Sequence, residues 1–303
     1  MSSASRFFLF FLTGLLNPLN AADGPASATY RAGTGLVLVP VTVTDRRGKT
    51  IQGLRKNDFT VLDELVPQEI VSFAGEDSPT SIELVLDFSG SIRTTANILK
   101  ETAHAFLEAS NPGDEFLLLT ISTHPAVGSY FTKAVAALEN DILRAPIGGG
   151  TAMLDAIYLG LNQVHAAARP RRAVLVLTDG MDNSSRYSKS ELLRVAIESD
   201  AQIYTIVFED TSANAKPIER AEAQRGWNAL QELSDKTGGL CLRIRNVSQA
   251  KDAAARTAQA IRSQYLIGYR VPDDRGSGKW HRIRVRTYVP NVRVYARSGY
   301  YSR

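Results

Sequence analysis

The chain has 303 residues, 44% apolar and 22% charged, with a formal net charge of +4. This is the make-up of one large folded domain, or of one domain with a small companion, and it excludes global disorder. So small a net charge gives no reason to expect nucleic acid as a partner, and a single cysteine, Cys241, excludes an intrachain disulfide and a cysteine-built zinc site.

Residues 1–22 read as an export signal. Arg6 supplies a positive start, Phe7 to Leu16 is mostly apolar, and the stretch ends in the small residues Ala21 and Ala22. The apolar part is too short to cross ~30 Å of hydrocarbon, which takes about 20 residues. No later segment is apolar enough to cross, so the mature chain is expected to be secreted or periplasmic, without a transmembrane segment.

Residues 23–79 form a first β region. Leu36 to Thr44 is rich in β-branched residues and ends at the polar turn Asp45-Arg-Arg-Gly-Lys; Phe59 to Asp63 and Glu69 to Phe73 follow as shorter strands. Pro40 inside the first strand requires an edge position or a bulge there.

Residues 80–263 alternate strand and helix. Ile82–Asp87, Phe116–Ile121, Ala173–Thr178 and Ile203–Phe208 are continuous apolar runs, the pattern of strands buried on both faces. Helices are expected over 94–110, 154–168 and 188–199, the last opened by a capping box of Ser188 and Glu191. Gly-Leu-Cys241-Leu-Arg-Ile reads as a further strand, with Cys241 as a buried small apolar residue, the alternative being a free reactive thiol. The fold class is α/β: a doubly wound, mostly parallel sheet. Residues 264–303 return to strands at Tyr265–Tyr269, Trp280–Tyr288 and Val292–Arg297, with a loop at Asp273 between the first two. Neither end region is large enough to fold well alone, so the two are expected to pair into a small β subdomain.

In an open α/β sheet, ligands bind beyond the carboxyl ends of the strands. Three polar loops fall there: Asp87-Phe-Ser89-Gly-Ser91 after the first parallel strand, Gly148-Gly-Gly-Thr151 before the helix carrying Asp155, and Thr178-Asp179-Gly180 after the third. They offer carboxylates and hydroxyls, all hard oxygen donors, which suits Mg²⁺, Mn²⁺ or Ca²⁺ rather than zinc or copper. In Asp-x-Ser-x-Ser, alternate residues of an extended turn point the same way, and Gly90 allows the backbone to bend closely round an ion. Mg²⁺ takes about six ligands, so the five groups of Asp87, Ser89, Ser91, Thr151 and Asp179, some acting through water, leave at least one position open.

These loops resemble the metal-ion-dependent adhesion site of von Willebrand factor A domains, whose pattern is Asp-x-Ser-x-Ser, a distant Thr and a distant Asp. The resemblance implies that Ser89, Ser91 and Thr151 bind a divalent cation directly, most naturally Mg²⁺, and that Asp87 and Asp179 act largely through water. It also implies that a protein partner's Asp or Glu fills the open position. A wider resemblance, to bacterial secreted VWFA-related domain proteins, rests on Val43-Thr-Asp-Arg-Arg-Gly-Lys, Asp58-Phe-Thr-Val-Leu-Asp and Gln68-Glu-Ile at one end. At the other it rests on Tyr265-Leu-Ile-Gly-Tyr, Trp280-His-Arg-Ile-Arg-Val and Ala296-Arg-Ser-Gly-Tyr-Tyr.

The expected function is therefore a non-enzymatic, metal-dependent binding or adhesion module. The rivals are an Mg²⁺-dependent hydrolase and a structural protein whose ion only orders the loops. Gly148-Gly-Gly-Thr lacks the Lys of a phosphate loop, and Asp87 stands where a nucleophile elbow needs Gly. Asp155 reads either as an acid favouring its helix dipole or as a support to the site. Asp182 and Asn183 read as a turn or as the rim of the site. Arg282, Arg284 and Arg286 alternate with Ile283 and Val285, giving a strand one basic face: solvated, or in contact with a polyanion.

Overall fold

The computed structural model describes residues 35–128, 130–209, 216–271 and 278–302. The export signal of residues 1–22, the beginning of the first β region and most of the Asp273 loop lie outside the described residues.

The first strand, β1 (Leu36–Asp45), is followed by β2 (Phe59–Asp63), β3 (Val66–Gln68) and β4 (Ile70–Asp77). Then come β5 (Thr80–Asp87), α1 (Ala96–Ala109), β6 (Glu115–Ile121), β7 (Ala126–Val127), α2 (Val135–Arg144), α3 (Met153–Gln163) and β8 (Arg171–Thr178). The α/β alternation closes with α4 (Lys189–Glu198), β9 (Gln202–Phe208), α5 (Pro217–Thr237), β10 (Cys241–Ile244) and α6 (Ala250–Arg262). Four further strands are β11 (Ser263–Arg270), β12 (Trp280–Thr287), β13 (Val292–Ala296) and β14 (Gly299–Tyr301).

The central sheet has the order β10-β9-β8-β5-β6-β7, parallel except for β7 at one edge. Every residue of β5 is buried, because parallel strands flank it and helices cover both faces. On one face Ile82, Leu84 and Leu86 pack with Leu99 and Phe106 of α1 and the alanines of α6. On the other Val85, Val174 and Val176 meet Ile157 and Leu161 of α3, Leu192 of α4 and Leu230 of α5. The doubly wound α/β reading is therefore correct, with β10 as a fifth parallel strand. The helix over 188–199 is α4, and Ser188 and Glu191 form the capping box.

The sequence reading omitted three helices. α2 is short. α5 carries a polar sequence, although Pro217 opens it and Gly238, at φ 85°, closes it in the left-handed region. α6 buries mainly alanines, whose small side chains let it lie close to α1 while giving little apolar periodicity.

The two ends of the chain pair as expected. β11 lies between β1 and β4, β1 also pairs with β13, and all three pairings are antiparallel. The other small sheet has the order β14-β12-β2-β3. Pro40 opposes Leu266 of β11, whereas pairing with β13 begins only at Val41, where pairing with β11 ends; β1 thus has one of its sides unpaired by a strand at Pro40, which tolerates the missing N–H. Between the two small sheets, the buried Asp63 carboxylate accepts hydrogen bonds from Tyr269 (2.8 Å) and Tyr300 (3.1 Å).

Cys241 is half-buried rather than buried, and burial still pushes its thiol up to about 12. Among the described residues no helix is long and apolar enough to cross a membrane.

Glu83 stands out in the core. Its side chain is fully buried and both carboxylate oxygens lack a hydrogen-bond partner. It faces α3 at Gly160, where an added Cβ would lie 2.7 Å from Oε2. Burial pushes its carboxyl up from the ordinary value to about 9. Below the ordinary value both folded and unfolded chains hold this proton. As pH rises toward about 9 the unfolded chain releases it first, so stability is progressively lost across that window. Glu83→Met, which removes the polar group at similar length, is expected to raise the melting temperature. The gain should grow with pH and level off above about 9. A gain that is absent, or flat with pH, in scanning calorimetry would show that the carboxylate is paired or already ionised.

Candidate metal centre

Asp87 is the last residue of β5, the central strand, and its carboxylate is fully buried. Oδ1 accepts from the Ser89 hydroxyl (2.6 Å) and backbone N–H (3.0 Å), and Oδ2 accepts from the Thr178 hydroxyl (2.6 Å). The backbone N–H of Asp179 also bonds to it. Burial pushes the Asp87 carboxyl up; the Ser89 and Thr178 hydrogen bonds pull it back, in that order.

From Asp87 a chain of oxygens runs outward. Ser89 Oγ lies 3.0 Å from Ser91 Oγ, which lies 3.4 Å from Thr151 Oγ1. Ser89 and Thr151 are buried and Ser91 is half-buried. The structure thus brings together Asp87, Ser89, Ser91 and Thr151. Asp179 is buried at the end of the neighbouring strand β8, where its Oδ1 accepts from the Met181 N–H (2.9 Å).

Backbone bonds hold the three loops in register. Gly148 N–H donates to Phe88 O and Gly90 N–H to Gly149 O, each at 2.9 Å. A Cβ at Gly90 would stand 3.0 Å from that Gly149 oxygen, so a larger residue there would push the Gly149 carbonyl outward. Thr151 N–H donates to Asn183 Oδ1 (2.9 Å), and Thr151 O accepts from the N–H groups of Asn183 and Ser184 (both 3.0 Å). The Thr123 hydroxyl accepts from Gly150 N–H (2.6 Å). From behind, α5 seats Gly226 against the carbonyl of Gly180, where an added Cβ would come within 1.7 Å of the oxygen.

The supporting residues divide unevenly between what sequence reading weighed and what it missed. Asp155 holds the segment leading to α4, accepting from the N–H groups of Arg186 (2.9 Å) and Tyr187 (3.0 Å). Asp182 accepts from Met153 N–H (3.2 Å) at the start of α3, and burial raises its carboxyl. Asn183 braces Thr151. Thr178 was visible beside Asp179 but not singled out, and its role follows from β8 lying next to β5. Thr123 and Gly226 carried no local signal, since the elements that deliver them are set by the sheet order and by α5.

The donor set suits a hard cation. Adjacent oxygens of an octahedron with bonds of ~2.1 Å lie about 3.0 Å apart, close to the Ser89–Ser91 separation. Hydroxyl ligands are neutral, so an ion held by them keeps most of its charge for a further anionic ligand.

The three polar loops lie beyond the carboxyl ends of β5 and β8 in a doubly wound α/β sheet, the place where proteins of the open-sheet class bind ligands. Residues 82–181 match the family model of the von Willebrand factor type A domain. No curated protein matches the chain. Among solved structures, a von Willebrand factor type A protein from Catenulispora acidiphila superposes with a TM-score of 0.50 at 14% identity, over 90% of this chain and 75% of that one. The vWF domain of the type V pili tip protein of Porphyromonas gingivalis gives 0.48 at 13% identity, over 62% and 96%. Proximal thread matrix protein 1 from the mussel byssus, with a zinc-occupied MIDAS motif, gives 0.45 at 16% identity, over 66% and 49%. At these identities the likeness concerns the fold.

Two substitutions test the geometry. Thr178→Val removes a donor to a buried carboxylate and is expected to cost about 1–3 kcal/mol of stability in denaturant unfolding; an unchanged midpoint would show that the bond contributes nothing. Gly226→Ala forces α5 and the Gly180 loop apart, so it should lower the melting temperature and weaken any ion binding more than Ala at an exposed α5 position does.

Proposed function

We propose that this protein binds a divalent cation at the ends of β5 and β8 and uses it to hold a carboxylate of a protein partner. Residues 80–263 are the ion-binding domain, and 23–79 with 264–303 are its β companion. Ser89, Ser91 and Thr151 are the direct ligands. Asp87 and Asp179 orient them and balance charge, and Mg²⁺ is the preferred ion, with Mn²⁺ and Ca²⁺ as substitutes. The observation that carries this reading is the convergence of three hydroxyls and a buried, donor-saturated carboxylate from loops some 60 to 90 residues apart in sequence.

The ion supplies a positive centre with an exchangeable position. The chain supplies rigidity: backbone bonds fix Gly90, Gly148 and Thr151, so few rotamers need ordering when the ion and the partner's Asp or Glu arrive. The residues bonded round Asp87 are hydroxyls and backbone amides, which fits holding an anion more than transferring a proton, and favours binding over hydrolysis. The leader-like residues 1–22 support action outside the cytoplasm.

Calorimetric titration of Mg²⁺, Mn²⁺ and Ca²⁺ into the protein is expected to show one site, absent in Asp87→Ala and weakened in Thr151→Ala. If the parent stays silent, the titration is repeated with acetate present to complete the coordination; silence there too removes the proposal. An ion that raises the melting temperature without strengthening capture of an immobilised Glu-bearing partner would favour the ordering role alone. Metal-dependent turnover of a phosphate ester that Asp87→Ala abolishes would favour the hydrolase.

A further inference from the structure

The small sheet β14-β12-β2-β3 covers the β core with one face and leaves the other to solvent. On β12, His281, Ile283 and Val285 are buried, while Arg282, Arg284 and Arg286 are exposed. Cross-strand pairing fixes what surrounds them: Arg282 opposes Gly299, Arg284 opposes Leu62, and Arg286 opposes Thr60. The three guanidinium groups therefore stand in a row on one face. Among the described residues none of them has a side-chain hydrogen bond or an ion pair. The nearest acid in the hydrogen-bond pattern is Glu64, which accepts from the backbone N–H of Arg282, not from its side chain.

Aromatic rings close both ends of the row. Trp280 lies across Gly299, where an added Cβ would meet its ring at 2.3 Å, and its centroid is 5.1 Å from that of Tyr301. At the far end Tyr288 is 75% exposed, with its hydroxyl 2.9 Å from that of Thr60. Three unneutralised arginines on a rigid strand are a standing cost of like-charge repulsion, relieved by an anionic partner.

We infer that this face is a second binding surface, and that its occupant is an extended acidic polypeptide with carboxylates at alternate residues. Spacing favours that occupant. Arginines at every second position of a strand recur about every 6.6–6.8 Å, the same two-residue repeat that an extended peptide presents on one side. Each guanidinium then meets one carboxylate, in the forked geometry that the pair prefers. The rings at the ends confine the length of the segment and pack on its uncharged side chains. The surface is separate in sequence from the strand-end loops and needs no metal ion.

The test is fluorescence anisotropy on the full chain in EDTA, with labelled peptides alternating Glu and Thr, or holding the same residues in two blocks. The alternating peptide should bind, more tightly than the block peptide, and more weakly as salt rises. Arg284→Gln with Arg286→Gln should weaken it by roughly tenfold or more, about 1.4 kcal/mol, without lowering the melting temperature. No binding of the alternating peptide, equal binding of the block peptide, or no effect of the double substitution overturns the proposal. Tighter binding of single-stranded DNA or polygalacturonate than of the peptide overturns the choice of occupant.

Discussion

A carboxylate buried at the end of the central strand is the constraint on which the rest of this structure turns. Asp87 cannot sit there as an ion unless hydrogen-bond donors replace the water it has lost. The fold supplies them from its own turn, through Ser89, and from the adjacent strand, through Thr178 and the Asp179 backbone. That requirement fixes β8 beside β5 and sets the loop after β8 against the loop after β5. Thr151 then completes the oxygen chain because Gly148–Gly150 can lie close enough to bond to Phe88, Gly90 and Thr123.

The same sheet holds a second buried acid with the opposite outcome. Glu83 is four residues before Asp87 on β5, yet no donor reaches it. Burial alone then raises it to about 9 and keeps it neutral. Asp87, at the strand end, meets loops rich in N–H and O–H groups, whereas Glu83, mid-strand, meets only side chains of α3 and the sheet, whose backbone groups are already paired. Position along the strand therefore decides whether a carboxyl serves as an anchor for charge or as a source of instability.

The β companion is a product of both chain ends and could not form from either. β11 is its axis: it follows α6 directly and takes β1 on one side and β4 on the other, so the end of the α/β domain and the residues before its first strand are held in one sheet. Packing the second small sheet against it buries one face and exposes the other. An alternating strand such as β12 consequently acquires an inner row that belongs to the core and an outer row of arginines open to a partner.

Much of this was legible in the residues. Continuous apolar runs defined the parallel strands, because a strand covered on both faces has no polar side to show. Ser188 and Glu191 announced the start of α4, and the spacing of Asp87, Ser89 and Ser91 marked a turn with oxygens on one side. Distance in sequence hid the rest. α5 is polar over most of its surface and α6 packs through alanine, so neither displays strong apolar periodicity, yet α5 places Gly226 against Gly180. Thr123 after β6, Thr178 at the end of β8 and Asn183 in the loop that follows β8 brace the oxygen cluster, and only the order of strands in the sheet makes them its neighbours. The sequence by itself determined which segments could be strands and which residues could offer hard oxygens; the tertiary structure alone decided which of those oxygens meet, since that depends on contacts whose partners lie tens of residues apart.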